Sequence, residues 1–214
     1  MRILFQGDSI TDGGGDKSNP AEAHVLGNAY PRYAAERIQQ MFPERRFEFL
    51  NYGISGNQTK DIVARAKTDI IDVEPDLTSL LVGINDVWHH FGDRDWIPND
   101  VFEARYTEII RAIKNNGSIL IILEPFFVPV DEDEQKFLID LPRKRSIIRK
   151  LARRYADAYI PLDGLFAAEC IGADPTEFSA DGVHPSAAGA EFIGKIYAET
   201  AAPLIRAYFA LGKK

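Results

Sequence analysis

The chain has 214 residues, a length that suits one domain, 1–214, with a full core. Its 45% hydrophobic and 27% charged residues are ordinary for a soluble globular protein. A balance of 25 Lys+Arg against 32 Asp+Glu gives a formal charge of −7, which argues against nucleic acid or an anionic membrane as main partner and favours neutral or weakly charged substrates.

Ile3, Leu4 and Phe5 open the chain as a short apolar strand, stopped by Gly7-Asp8-Ser9. Asp12 to Gly27 is Gly-rich and polar, a long loop that follows Ser9 directly. Neither the P-loop pattern nor G-x-G-x-x-G is present, so Gly13-Gly14-Gly15 is not read as a nucleotide cradle. Tyr30, Tyr33, Ala34, Arg37, Ile38 and Met41 recur at helical spacing and predict a helix over Asn28–Phe42, with Pro31 in its first turn. Phe47, Phe49 and Leu50 predict a second strand, closing into the turn Asn51–Asn57. Gln58–Val73 reads as a helix, and Leu77–Val82 as a strand buried on both faces, ending at Gly83-Ile84-Asn85-Asp86.

Val87–Asn99 is an aromatic-rich connector with Trp88, His89, His90, Phe91 and Trp96. A helix over Asp100–Asn116 and a strand over Ile119–Leu123 follow, the strand ending at Glu124-Pro125. Beyond a second connector with the acidic run Asp131–Glu134, Arg143–Tyr155 is an amphipathic helix. Its seven cations are expected to form a solvated face. Ala158–Leu162 is a fifth strand, Asp163–Ile171 a short helix or turn, and Ala187–Leu211 the closing helix. Strands alternating with helices predict a three-layer α/β/α sandwich, flavodoxin-like, on a five-stranded parallel sheet. The single Cys170 cannot form an internal disulfide and is expected to be a small buried hydrophobe. No apolar run reaches the ~18 residues of a membrane span. The residues before Gly7 are too few for a secretory core, so the cytoplasm is the expected location.

The first three strands each end in a polar or Gly-rich turn, and in a parallel sheet these ends share one edge. Ser9, Gly56 and Asn85 are therefore expected to be neighbours. Asp181 and His184 follow the last strand and come to the same edge. Asp181-x-x-His184 is a compact pair in which the carboxylate can hold one imidazole nitrogen and leave the other to take a proton from Ser9. Backbone N–H groups at Ser9 and Gly56 and the side-chain amide of Asn85 would serve as donors to an oxyanion. This chemistry requires no cofactor. His24, His89 and His90 have no spacing that fits zinc, so no metal is expected.

Gly7-Asp8-Ser9-Ile10, the Gly56 turn, Gly83-Ile84-Asn85-Asp86 and Asp181-x-x-His184 resemble, in order, the four sequence blocks of the SGNH (GDSL-type) hydrolases. The resemblance implies Ser9 as nucleophile, His184 as base and Asp181 as its orienter, with Ser9, Gly56 and Asn85 forming the oxyanion hole. Gly53–Asn57, Gly83–Trp88 and Glu124-Pro125-Phe126 are similar to the intracellular acetylxylan-esterase-like branch. That branch implies removal of acetyl groups from xylo-oligosaccharides by a homo-oligomer. Members often carry Arg where this chain has Gly15-Asp16, and Trp just before the catalytic Asp where it has Phe178-Ser179-Ala180. Asp8, Trp88 and Phe178 border the expected site and are candidate substrate-binding residues. Trp88, Phe91 and Trp96 suit a sugar face, the core or a subunit interface. Three functions stand open: a carbohydrate O-acetyl esterase, a lipolytic or thioester hydrolase, and an inactive flavodoxin-like binding module. The intact set of five residues speaks against the third.

Overall fold

A computed structural model describes residues 1–14, 24–88 and 96–212. Five parallel strands form one sheet: β1 (Arg2–Gly7), β2 (Glu48–Asn51), β3 (Leu77–Leu81), β4 (Ile119–Leu123) and β5 (Ala158–Ile160). Their order is β2-β1-β3-β4-β5, so the chain winds outward from β1 in both directions. The sandwich expected from the alternation of elements is thus the fold observed. Apart from the short α1 (Ser9–Asp12), the main helices are α2 (Tyr30–Met41), α3 (Thr59–Ala66), α4 (Asn99–Asn115), α5 (Leu141–Tyr155), α6 (Leu162–Glu169) and α7 (Ala187–Ala210).

The strands are apolar on both faces because helices cover both. Ile3 and Phe5 of β1, Leu77 and Leu81 of β3, and Ile121 and Leu123 of β4 face one layer. There they join Tyr30, Ala34 and Ile38 of α2 and Ile193, Tyr197 and Ile205 of α7. Leu4, Leu80, Leu120 and Ile122 face the other layer, with Ile62 of α3, Phe102, Tyr106 and Ile109 of α4, and Ile148 and Leu151 of α5. The period of two along each strand assigns each side chain to its layer. Burial on this scale stabilises by roughly 25 cal/mol per Å² of apolar surface.

Four local readings are corrected. The residues after Asp8 are not a plain turn leading into a loop. Ser9–Asp12 form a helical turn, α1, capped by Asp8 and closed at Gly13 with φ 68°. Four residues are too few to show a period, so composition could not reveal it. The helix expected over Gln58–Val73 is α-helical only to Ala66, and continues as a π turn over Lys67–Ile71. The cations of α5 do not all lie on a solvated face. Lys144 is buried against Asp140 (2.5 Å) and the Ile97 carbonyl (3.2 Å), and Arg145 against Asp163 (2.5 Å) and the Pro125 carbonyl (3.1 Å). Both charges are paired, the condition for burying them. The closing helix runs through Pro203, whose ring is on its exposed side. Cys170 is half-buried at the edge of the core rather than inside it.

The Gly7 turn shows why the sheet edge needs its glycine. A Cβ there would stand 2.3 Å from both the Leu81 carbonyl oxygen and Thr11 Oγ1. The missing side chain lets β1 end tight against β3 and lets α1 fold back beneath it.

Candidate active site

Because β1 is flanked by β2 and β3, the turns after these strands stand side by side at their carboxyl ends. Winding reverses at β1 and β3, and a doubly wound sheet opens a crevice at such a point. Ser9 starts α1 there. Asp8 has extended backbone, φ −104° and ψ −151°, and its Oδ1 accepts the Ile10 N–H at 3.1 Å, so the chain leaves β1 and enters a helical turn within two residues. This turn leaves Ser9 half-buried at the rim.

His184 reaches Ser9 from the far end of the sequence. Its Nε2 lies 3.0 Å from Ser9 Oγ, and its Nδ1 lies 2.7 Å from Asp181 Oδ2. A carboxylate only accepts, so Nδ1 carries the proton, and Nε2 is left as acceptor for the serine hydroxyl. Asp181 Oδ1 accepts the N–H groups of Val183 (3.0 Å) and His184 (2.7 Å), fixing the turn that presents the ring. Burial alone pushes the Asp181 carboxyl up. The hydrogen bonds from the His184 ring and from the two backbone N–H groups outweigh it and hold the carboxyl below its ordinary range. Asp181 and His184 are about half exposed, 49% and 50%.

The loop carrying them is anchored at several points. Val183 is buried in the core, the Gly182 carbonyl accepts the Val128 N–H (2.8 Å), and Ser179 Oγ donates to the His184 carbonyl (2.8 Å). Ser179 and Pro185 form an antiparallel bridge, and Ser186 N–H donates to the Phe178 carbonyl at 2.8 Å. An imidazole held this way can take a hydroxyl proton without first having to be ordered.

Gly56 and Asn85 occupy the turns after β2 and β3. Gly56 is exposed with φ 79°, a conformation that favours glycine, and among the described residues nothing beyond its chain neighbours lies within 4 Å of where a Cβ would stand. Asn85 is buried, and its Nδ2 donates to the Asn57 carbonyl at 3.1 Å. Gln58 Nε2 donates to the Asn85 carbonyl at 3.2 Å. Next to Asn85, buried Asp86 accepts both the N–H (3.0 Å) and the hydroxyl (2.6 Å) of Thr59. The two turns are thus stitched together beneath the rim. Gln58, Thr59 and Arg65 take part in this network, and sequence reading did not single them out. Their roles depend on contacts across three strands, which no local pattern records.

Of the expected substrate-binding residues, Asp8 is placed elsewhere. It is fully buried and caps α1, and its Oδ2 has no protein partner among the described residues. Its burial pushes the carboxyl up to about 7. Trp88 is half-buried against Phe137, with its ring centre 6.1 Å from that of His184. Phe178 packs edge-on against Phe166 (5.4 Å) and touches Phe192, so most of its ring serves the core. Trp96 is half exposed. Gly15, Asp16, His89, His90 and Phe91 lie outside the described residues. His24 stacks on Tyr52 at 3.9 Å. Among the described residues, no group of three or more His, Cys, Asp or Glu side chains is placed to hold a metal ion, and no helix is long and apolar enough to cross a membrane.

The profile of the GDSL-like Lipase/Acylhydrolase family matches residues 5–192. An acetylxylan esterase of Geobacillus stearothermophilus is 28% identical over 207 residues, which is 92% of this chain and 91% of that one. The crystal structure of an acetylxylan esterase from that organism, Axe2, superposes with a TM-score of 0.80 at 28% identity, covering 91% of this chain and 90% of the other. Three other structures of Axe2 are of catalytic mutants, in which a serine, an aspartate and a histidine are replaced in turn by alanine. A putative GDSL-like lipase from Parabacteroides merdae gives a TM-score of 0.86 at 26% identity, over 92% of this chain and 94% of its own.

Proposed function

We propose, from the premise that this chain belongs to the GDSL-like lipase/acylhydrolase family, that it is a serine esterase removing O-acetyl groups from carbohydrate. Its relatives are carboxylic ester hydrolases. The observation that carries the mechanism is the unbroken line from Ser9 Oγ through His184 to Asp181, with links of 3.0 and 2.7 Å.

In this reading His184 Nε2 accepts the Ser9 proton as Oγ attacks the ester carbonyl. Asp181 holds the ring and stabilises the imidazolium that forms. The N–H groups of Ser9 and Gly56 and Nδ2 of Asn85 receive the negative charge that develops on the carbonyl oxygen. The tetrahedral intermediate expels the sugar alcohol, which takes its proton from His184, and leaves an acetyl group on Ser9 Oγ. Water, deprotonated by the same imidazole, then releases acetate and restores the serine. The residues of this scheme need no cofactor. Trp88, its ring centre 6.1 Å from that of His184, is our candidate among the described residues to meet the acyl or sugar group. Acetylated xylo-oligosaccharide is the substrate supported by the resemblance to the Geobacillus acetylxylan esterase along both chains. By the same resemblance we expect a cytoplasmic homo-oligomer built from one domain per chain.

A longer acyl group is the second reading, favoured by the likeness to the Parabacteroides structure described as a lipase. Hydrolysis of 4-nitrophenyl acetate and 4-nitrophenyl octanoate, wild type beside Ser9→Ala, separates the two. An apolar acyl groove would gain about 0.8 kcal/mol for each buried CH₂ and favour octanoate. We expect acetate to be preferred and Ser9→Ala to be inactive on both. Preference for octanoate would move the assignment to a lipolytic or thioester hydrolase, and an active Ser9→Ala enzyme would remove the mechanism altogether.

A further inference from the structure

Arg65 lies on α3, outside the line of Ser9, His184 and Asp181, and no sequence motif marks it. Its guanidinium is where three parts of the chain meet. Nε donates to Asn57 Oδ1 at 2.9 Å, and Nη2 to Gln6 Oε1 at 2.6 Å and to the Gly7 carbonyl at 3.3 Å. Nη1 donates to Asp69 Oδ2, one helical turn on, at 2.6 Å. The side chain is only 14% exposed. Burial draws its pKa down, and the hydrogen bond it donates to Asp69 opposes this only in part. A guanidinium keeps its charge through both effects.

The acceptors other than Asp69 lead to the site. Gln6 Oε1 also accepts the Gly7 N–H at 3.0 Å, and the Gly7 carbonyl also accepts the Ile54 N–H at 3.1 Å, from the turn that carries Gly56. Gly7 precedes Ser9 by two residues. Asn57 follows Gly56, and its carbonyl is the acceptor for Asn85 Nδ2. Among the described residues, nothing beyond its chain neighbours packs where a Gly56 side chain would stand. The place of that N–H is therefore set by what holds its neighbours: Ser55, whose N–H (3.2 Å) and hydroxyl (2.8 Å) Asp12 Oδ2 accepts, and Ile54 and Asn57, which lead to Arg65.

We propose that Arg65 is a positioning residue for acyl transfer, its planar fork fixing the Gly56 turn against β1 and so aiming the Asn85 amide. The inference rests on the oxyanion hole proposed above. A fork that bonds in several directions at fixed angles suits the task, and a lysine ammonium on a flexible stem does not. Preorganised donors stabilise charge only when aimed at the place where it develops. A purely structural Arg65, acting as the helix partner of Asp69, would change stability and leave kcat alone.

The test measures kcat and KM separately on 4-nitrophenyl acetate for Arg65→Lys, Asn57→Ala and Ser9→Ala, with Arg65→Lys also made in an Asn85→Ala background. Folded Arg65→Lys should lose about 10- to 10²-fold in kcat, less than removal of a donor outright, with KM changed by less than about 3-fold. In the Asn85→Ala background the loss should shrink to a few-fold, because the amide being aimed is gone. Asn57→Ala keeps the backbone carbonyl but removes the Arg65 acceptor. It should reproduce part of the loss, and it decides the matter if Arg65→Lys does not fold. Wild-type kcat in folded Arg65→Lys, or in Asn57→Ala where that must decide, overturns the inference. So does a loss carried in full into the Asn85→Ala background. An active Ser9→Ala enzyme would instead bring down the mechanism itself.

Discussion

Ser9 and His184 are separated by 175 residues and joined by one hydrogen bond of 3.0 Å. If hydroxyl, imidazole and carboxylate act as a unit, removing either of the first two forfeits nearly all the benefit of the other. Ser9→Ala and His184→Ala should each lower kcat on the order of 10⁶-fold, and the double variant should be little worse. Asn85→Ala removes one donor and should cost roughly 10²–10³-fold in kcat. Its thermal denaturation has to be followed alongside, because the same amide ties down the Asn57 carbonyl. A double Ser9/His184 variant with the product of the two single losses would show that the groups act independently. Ser9, Asp181 and His184 could be nominated from the sequence because chemistry restricts each to few residue types, and Gly56 and Asn85 because their turns follow strands next to β1; hydrogen bonds in the fold join the first three. Asp8 could be found but not assigned. The same short carboxylate that suits a substrate contact also suits a helix cap, and only the buried α1 turn decides between them.

At the level of elements, legibility followed length and burial. All five strands and the long helices are announced by apolar period, because each must hide one or two faces. α1 and the π turn after α3 carry too few residues for a period. Lys144 and Arg145 look solvent-facing by type. They are buried because Asp140, on the approach to α5, and Asp163, at the start of α6, meet them there. The junction of β1, β3 and α1 allows a direct trial. Gly7→Ala would place a methyl 2.3 Å from the Leu81 carbonyl oxygen, a backbone atom that cannot swing aside. The cost should reach or exceed the 1–3 kcal/mol typical of overpacking, with Ser9 displaced as β1 and β3 part. Urea unfolding should show a lower midpoint at an unchanged slope, and the variant that still folds should have reduced kcat. An unshifted midpoint would mean that the strands separate there at no cost.

Across the whole molecule, the edge that gathers the site also gathers buried acids, and this sets a pH dependence of stability. Burial, with the neighbouring charge of Asp86 adding to it, raises Asp8 from 3.8 to about 7. Burial likewise raises Asp86 to about 6, although hydrogen bonds from Thr59 and the charges of Lys144 and Arg105 oppose it. A carboxyl whose folded pKa is raised binds its proton more tightly in the folded state than in the unfolded chain. The folded state therefore holds more protons between about pH 4 and pH 7, and stability from this group falls as pH rises through that window. The cost of ionising Asp8 in its buried place is present in full above about pH 7 and absent below about pH 4. Asp8→Asn keeps the acceptor for the Ile10 N–H and removes the charge. Relative to wild type it should gain stability with rising pH, by at most about 4 kcal/mol at pH 8, and show little difference at pH 4. For a chain of this size that is a rise in Tm of several degrees at the alkaline end. Melting curves of both proteins at pH 4, 6 and 8 measure it directly. A gap that stays constant with pH would mean that Asp8 titrates as an ordinary carboxyl, and a gap that widens towards acid would reverse the sign of the argument.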